Sequence, residues 1–243
     1  MMYVPRSAPA DSSDMPKPPA RLLAVRVWDL PTRLFHWVLA LTVAGSFASA
    51  YVGGNAMAWH FRCGYVVFTL LIFRLLWGLV GGRWSRFGRF IYAPGTLWRY
   101  LRGRQRADEH LDVGHSPLGG LSVFALLLLL AAQVATGLVA DDEIAATGPL
   151  NRFVGHALAG RATFWHADVG QWALLALVAL HLLAIAYYRW RKRLKLVRAM
   201  LVGDKMLPPG TPASLDSGGT RIVALVLLAA CAALVSWVVS LGE

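Results

Sequence analysis

Apolar residues in this chain do not alternate, nor do they keep to one helical face; they continue in long uninterrupted runs. A helix that crosses a bilayer needs about 20 mostly apolar residues. Five stretches meet or approach that length: roughly 34–52, 57–80, 118–140, 167–188 and 222–241. Leu126–Leu130 and Trp172–Leu180 are apolar on every face, as spans surrounded by lipid or by other helices are. Polar residues mark where spans begin. In Trp28-Asp29-Leu30-Pro31-Thr32, Asp29 or Thr32 can cap the first helix, and Pro31 falls in a first turn whose amides lack acceptors anyway. Ser116-Pro117 announces the third span in the same way. The pattern predicts an all-α integral membrane helix bundle.

The stretches between spans differ in character. Residues 1–24, with several Pro and Ser and no apolar core, predict a disordered tail rather than a signal peptide. A four-helix core is expected over residues 25–202. Residues 203–220, including Pro208-Pro209-Gly210, predict a flexible linker to a fifth transmembrane helix over 221–243. From Trp84 to Arg104 aromatics alternate with arginines, which predicts a segment lying along the headgroup layer. No internal repeat of useful length is present.

Composition sharpens this picture. The 243 residues are 57% hydrophobic and 15% charged, with a mean hydropathy of +0.51. A soluble domain is about 45–50% apolar and about 25% charged, so a water-soluble enzyme and a disordered chain are both excluded. A net charge of +11, from 24 Lys+Arg against 13 Asp+Glu, can signal nucleic acid, but the long uncharged runs point to a membrane with asymmetric loops. Arg83, Arg86, Arg89, Arg99, Arg102, Arg104 and Arg106 lie between spans two and three. Arg189, Arg191, Lys192, Arg193, Lys195 and Arg198 follow span four. The loop between spans three and four instead carries Asp141, Asp142 and Glu143 against Arg152 and Arg161. The positive-inside rule therefore predicts a cytoplasmic N-terminus and an external C-terminus. Cys63 and Cys231 lie far apart in apolar stretches, without CxxC or CxxCH, and read as small buried residues rather than a disulfide, a thiolate metal site or a covalent haem attachment.

Histidine depth carries the candidate chemistry. Of seven histidines, His36 lies near the cytoplasmic end of span one, His60 opens span two and His166 opens span four at the external side. His181 follows 15 residues after His166, about 22 Å deeper and about 60° around an ideal helix. The four sort by depth into an external pair, His60 with His166, and a cytoplasmic pair, His36 with His181. Ionisable side chains at such depth are costly and usually functional; the alternative is helix-to-helix hydrogen bonding. One shared metal ion is excluded by the spacing within span four. Two zinc sites lack the further ligands zinc needs. Haem b fits, because its porphyrin supplies four nitrogens and the protein only two axial imidazoles. Gly64 and Gly170 follow His60 and His166 by four residues, on the same helix face, where a missing side chain leaves room for a flat macrocycle. Close helix packing also favours such glycines.

These residues carry a family resemblance. Val27-Trp28-Asp29-Leu30-Pro31-Thr32-Arg33-Leu34-Phe35-His36-Trp37 resembles the opening motif of bacterial cytochrome b561 and of the b-type cytochrome subunits of nickel-iron hydrogenases. Trp59-His60 through Gly64-Tyr65, Phe73-Arg74-Leu75-Leu76-Trp77-Gly78 and Gly114-His115-Ser116-Pro117-Leu118-Gly119 are similar to further parts of that pattern. The likeness runs from about Val25 to about Lys205 and leaves out the tail and the fifth span. It implies a four-helix haem-binding core with His36, His60, His166 and His181 as ligands of two bis-His haems b. It also implies a multi-pass protein of the bacterial inner membrane, in a respiratory chain, exchanging electrons with quinone. The partner so implied is an external redox protein such as a hydrogenase, a c-type cytochrome or another dehydrogenase. An oligomer is compatible with this, and nucleic acid is not expected.

Other polar residues have candidate roles beside these. Arg74, 14 residues after His60, reaches the cytoplasmic haem's depth, where it can pair with haem propionates, as can Arg33; the alternative for Arg74 is snorkelling to headgroups. Arg62 is the corresponding candidate at the external haem. His115, at the mouth of span three, can hydrogen-bond or proton-couple a quinone carbonyl, or simply start a helix at the interface. His110 and His156 are expected in loops. Trp28, Trp37, Trp59, Trp84, Trp98 and Trp165 are expected in interfacial belts. Two rival functions remain at this point: a superoxide oxidase of the same fold, which the acidic external loop disfavours, and a haem-free proton-coupled transporter, which the lack of inverted repeats disfavours.

Overall fold

The computed structural model describes residues 21–104, 111, 113–144 and 146–242; His110, expected in a loop, and the tail up to residue 20 lie outside them. Among the described residues, five helical spans are long and apolar enough to cross a membrane: Leu30–Val52, Gly54–Val80, Pro117–Val139, His156–Trp190 and Gly218–Ser240. They contain helices α1 (Leu30–Val52), α2 (Met57–Val80), α4 (Pro117–Val139), the pair α5 (His156–Phe164) and α6 (Gln171–Trp190), and α8 (Gly218–Ser240). Short helices α3 (Pro94–Leu101) and α7 (Leu196–Val202) lie between spans. The fourth span starts well before residue 167. His156 opens α5 instead of lying in a loop, because one turn of π-helix, Trp165–Gly170, carries α5 directly into α6.

Helix starts follow the polar signals. Asp29, not Thr32, caps α1: its Oδ1 accepts from the Thr32 amide at 2.8 Å. Ser116 Oγ accepts from the Gly119 amide at the start of α4. In the bundle α1 packs on α2, α2 on α4 and α8, and α4 on α6; α1 and α6 do not pack closely on one another. Phe35, Leu70, Phe73 and Trp77 form one core with Ala224 and Cys231 of α8, which seats the fifth span against α2. Val67, Leu71, Leu130 and Leu174 form a second where α2, α4 and α6 meet. Elsewhere large apolar side chains such as Leu41, Leu128 and Leu183 face outward, as they do where lipid is the solvent.

The end of the bundle that carries the arginine-rich loops, the basic end, is built differently. Strand β1 (Leu23–Arg26) pairs antiparallel with β2 (Asp204–Leu207), Leu23 opposite Leu207 and Arg26 opposite Asp204. This ribbon and the chain after it correct the expectation of a flexible linker over 203–220. Ser214 is buried; its amide donates to Arg26 O and its hydroxyl to Val27 O. The Trp84 amide donates to Ser214 Oγ and its Nε1 to Pro212 O. Asp216 then pairs with Arg26 at 2.8 Å and Arg221 at 3.0 Å. Proline and glycine read locally as slack, but long-range backbone partners decide that this strap is ordered.

Trp28 and Trp84 are likewise buried, in a cluster with Val27, Val113 and Ala199. They are core residues of this cap and not interfacial aromatics; Trp59 and Trp98 are exposed as a belt requires. The arginine-aromatic segment divides at the same place. Trp84 and Phe90 turn inward, whereas Ile91, Trp98 and Leu101 stay exposed around α3.

Candidate functional site

The four histidines lie on three spans and meet in pairs. At the end opposite the basic one, His60 of α2 faces His166 of the π-turn, with ring centroids 5.8 Å apart and planes at 89°. Each ring is oriented through Nδ1. His60 Nδ1 bonds the Ser46 carbonyl at 3.0 Å, with Ser46 Oγ at 3.2 Å. His166 Nδ1 bonds the Gln133 carbonyl at 2.9 Å. A carbonyl only accepts, so in both rings the proton sits on Nδ1 and the lone pair of Nε2 is free to bind a metal.

The π-turn changes how His166 is supported. Gln133 Nε2 donates to the His166 carbonyl inside the turn, so α4 and the turn exchange two bonds. A Cβ added to Gly137 would lie 2.8 Å from Cε1 of the His166 ring. Gly137 is therefore the glycine that lets α4 approach His166, and because it lies on another helix, spacing along the helix of His166 does not point to it. Gly170 has a different job from the one expected. Its added Cβ would strike Gln133 Oε1 and Trp165 Nε1, so it makes room for α4 rather than for a macrocycle. Gly64 does face open space, with nothing within 4 Å of an added Cβ.

At the basic end, His36 of α1 and His181 of α6 lie within electrostatic range of each other across the gap between those helices. His36 Nδ1 is buried without a partner. Arg74 is 3% exposed, which excludes snorkelling. Its Nη2 donates to Ser85 O at 3.0 Å, its guanidinium lies 4.6 Å from the Phe87 ring centroid, and its Nη1 has no partner. The motif residue Asp29 organises the surroundings: fully buried, it accepts from Thr32 N, Trp77 Nε1 and Ser85 Oγ. A Cβ at Gly82 would lie 2.1 Å from its Oδ2.

Arg33 does not join this group. Its Nη1 donates to Leu201 O of α7 at 2.6 Å and its Nη2 lies 3.9 Å from Asp216 of the strap, while its Nε is buried without a partner. Arg62 stays exposed at the far end, stacked 4.8 Å over Trp59 of its own helix. His115 packs between Trp28 and Phe90, at 4.7 and 4.5 Å. Burial first, then the charges of Arg74 and Lys205 and the nearby His36 and His181, push its pKa down to about 3. The imidazole is therefore neutral at physiological pH and can offer a hydrogen bond, not a readily transferred proton.

A family model described as prokaryotic cytochrome b561 matches residues 27–203, from the buried Val27 to the glycine that closes α7. The chain belongs to the prokaryotic cytochrome b561 family. This cytochrome is 28% identical over 222 residues to a probable Ni/Fe-hydrogenase B-type cytochrome subunit of Azotobacter chroococcum, covering 78% of the chain and 91% of the relative. A protein of the same description from Bradyrhizobium diazoefficiens is 26% identical over 218 residues, 74% and 85% of the two chains. The probable Ni/Fe-hydrogenase 1 B-type cytochrome subunit of Escherichia coli K12 is 26% identical over 147 residues, 48% and 60%. No solved structure matches this cytochrome significantly.

Membership implies a multi-pass membrane protein that carries haem b and transfers electrons, and the His60/His166 donors suit that group. A metal–imidazole bond of about 2 Å puts the centroids of two imidazoles on one metal about 6 Å apart, close to the separation found here. Nδ1 anchored to a carbonyl is the usual orientation of a ligating histidine.

Proposed function

We propose that this cytochrome is the di-haem b subunit of a respiratory complex, linking an external redox protein to the membrane quinone pool. The observation that carries the reading is the His60/His166 pair: two facing imidazoles on different spans, each with Nδ1 engaged and Nε2 open. His36 and His181, within electrostatic range at the other depth, are the proposed second ligand pair. The relatives' descriptions as probable hydrogenase cytochrome subunits favour a hydrogenase as the external partner.

Haem b held by His60 with His166, and by His36 with His181, would supply one-electron transfer. The chain's own residues do the rest. Ser46 O and Gln133 O fix the tautomer and direction of the external ligands, so neither ring needs to reorient when oxidation state changes. Gly137 sets how near α4 comes to His166, and Gly64 leaves the face beside His60 clear. The arginine-rich end lies in the cytoplasm by the positive-inside rule, which puts the His60/His166 layer and the acidic loop of Asp141, Asp142 and Glu143 at the periplasmic face of the inner membrane. The partner would dock there, and quinone would react near the basic end.

The test is the haem content of the full chain purified in mild detergent. About two haems b per chain are expected, with a split reduced-minus-oxidised spectrum. His166→Ala and His181→Ala should each remove a different component. If the wild-type chain binds one haem, or either variant keeps both, the di-haem reading is wrong. Co-purification of a hydrogenase, with hydrogen-dependent quinone reduction lost on removing it, tests the partner separately.

A further inference from the structure

At the basic end, Arg74 Nη1 and His115 Nδ1 are buried without a partner among the described residues, as are Arg33 Nε and His36 Nδ1. His115 lies within electrostatic range of Arg74, His36 and His181. Arg74 and His115 are both held in place by other contacts. Arg74 is fixed by its bond to Ser85 O, and Ser85 is fixed in turn by Oγ donating to Asp29 Oδ2 at 2.7 Å. Gly82, which tolerates no Cβ against Asp29, lets this loop come close. His115 is clamped between Trp28 and Phe90, and its carbonyl accepts from Tyr92 OH at 2.7 Å. Phe87 lies against Arg74 and, at 5.8 Å, against Phe90, so guanidinium and imidazole share one aromatic wall. Lys205 of β2 bonds the carbonyls of Val113 and Gly114 and adds positive charge beside His115. It lies beyond the residues that the family model matches. The nearby carboxylate, Asp29, already accepts from three donors.

A buried guanidinium N–H without an acceptor is costly, and its strongest complement is a carboxylate. Resting on the di-haem reading, we infer that Arg74 and His115 bind a propionate carboxylate of the haem held by His36 and His181, with Asp29 and Ser85 orienting the arginine. The site makes the potential of one haem depend on a buried network that the other haem lacks.

Spectroelectrochemical titration of the purified holoprotein tests this, together with the resonance Raman propionate-bending band. Arg74→Gln should lower the potential of one haem component only. At fixed applied potential its oxidised-to-reduced ratio should rise about tenfold, 59 mV for one electron, and the propionate band should move. Arg74→Lys should recover part of both changes. His115→Phe keeps the ring packed between Trp28 and Phe90 and should move the same component by less. It carries the test if Arg74→Gln fails to assemble. Two bound haems with the band and both potentials unchanged would overturn the inference while leaving the di-haem reading intact. An unmoved band with a raised KM for quinol would overturn it too, and would assign the donors to quinone. Fewer than two haems in the wild type would overturn both.

Discussion

The two histidine layers are built on opposite plans. At the far end, both rings are oriented by main-chain carbonyls and already face one another at 5.8 Å. At the basic end, His36 Nδ1 has no partner and its helix does not pack closely on that of His181. What is rigid there is the surrounding cap: Asp29, Ser85, Arg74 and the strap over Trp84. One layer is organised by its histidines' own hydrogen bonds, the other by a buried polar network beside it. The lesson is physical. Within a membrane, main-chain groups released by an irregular turn must find partners, so the π-turn and Gln133 stiffen one layer. The basic end has access to loops and can build a small water-soluble-type core.

The comparison can be broken most severely at the ligands. His60→Ala should remove one haem entirely, halving the haem-to-protein ratio, while the other component keeps its potential; haemochrome assay of the purified variant reads this. Next in size is Asp29→Ala. Losing a buried carboxylate that accepts from three donors and lies within electrostatic range of Arg74 should cost about 3–5 kcal/mol. Thermal unfolding should show that loss, and the potential of the His36/His181 component should shift more than that of the other. Equal shifts in both would mean that the cap does not belong to one layer.

Glycines sharpen the contrast further. Gly137→Ala should displace the His166 ring and lower occupancy of the far-end haem several-fold. Gly64→Ala meets no protein atom and should stabilise the apo helix by up to about 1 kcal/mol, yet reduce haem retention if the ring lies beside it. Parallel changes in both quantities would show that the space at Gly64 is not used. The smallest effect concerns the strap. Burial pushes the Asp216 carboxyl up, but hydrogen bonds from Arg221 and the Leu30 amide, with the charges of Arg221 and Arg26, outweigh it and hold the pKa below its ordinary value. A carboxyl with a depressed folded pKa contributes stability above its unfolded pKa, 3.8 here, and loses it as pH falls through the folded value. Asp216→Asn should therefore weaken the fold at pH 7 and make little difference at the acid end; a variant equally weakened at both would separate the strap from this carboxylate.

Much of this was legible in order along the chain. Continuous apolar runs are a local property, so five spans could be read, and the caps Asp29 and Ser116 stood where their side chains reach an amide three residues on. Depth along a helix is also arithmetic, which put His60 level with His166. Rotation was not, because one π-turn at Trp165–Gly170 reassigns which neighbours lie beside His166. Hence Gly170 turned out to serve Gln133, and Gly137, on another helix, was missed. A histidine paired with a glycine across two spans could be sought only by knowing which helices touch.

The sequence by itself determined the membrane class, the number of spans, the Ser116 cap and the depth of the four histidines, and narrowed the first cap to Asp29 or Thr32, since each depends on residues within one or two turns. Tertiary structure alone decided that Trp28 and Trp84 are core, that residues 203–217 form an ordered strap, that Arg33 reaches α7 and that strap and that Arg74 is buried. Those outcomes rest on partners scores of residues away, such as Ser214 with Val27 and Asp29 with Ser85. A polar side chain's fate is set by which donor or acceptor reaches it once water is excluded, and no local pattern encodes that.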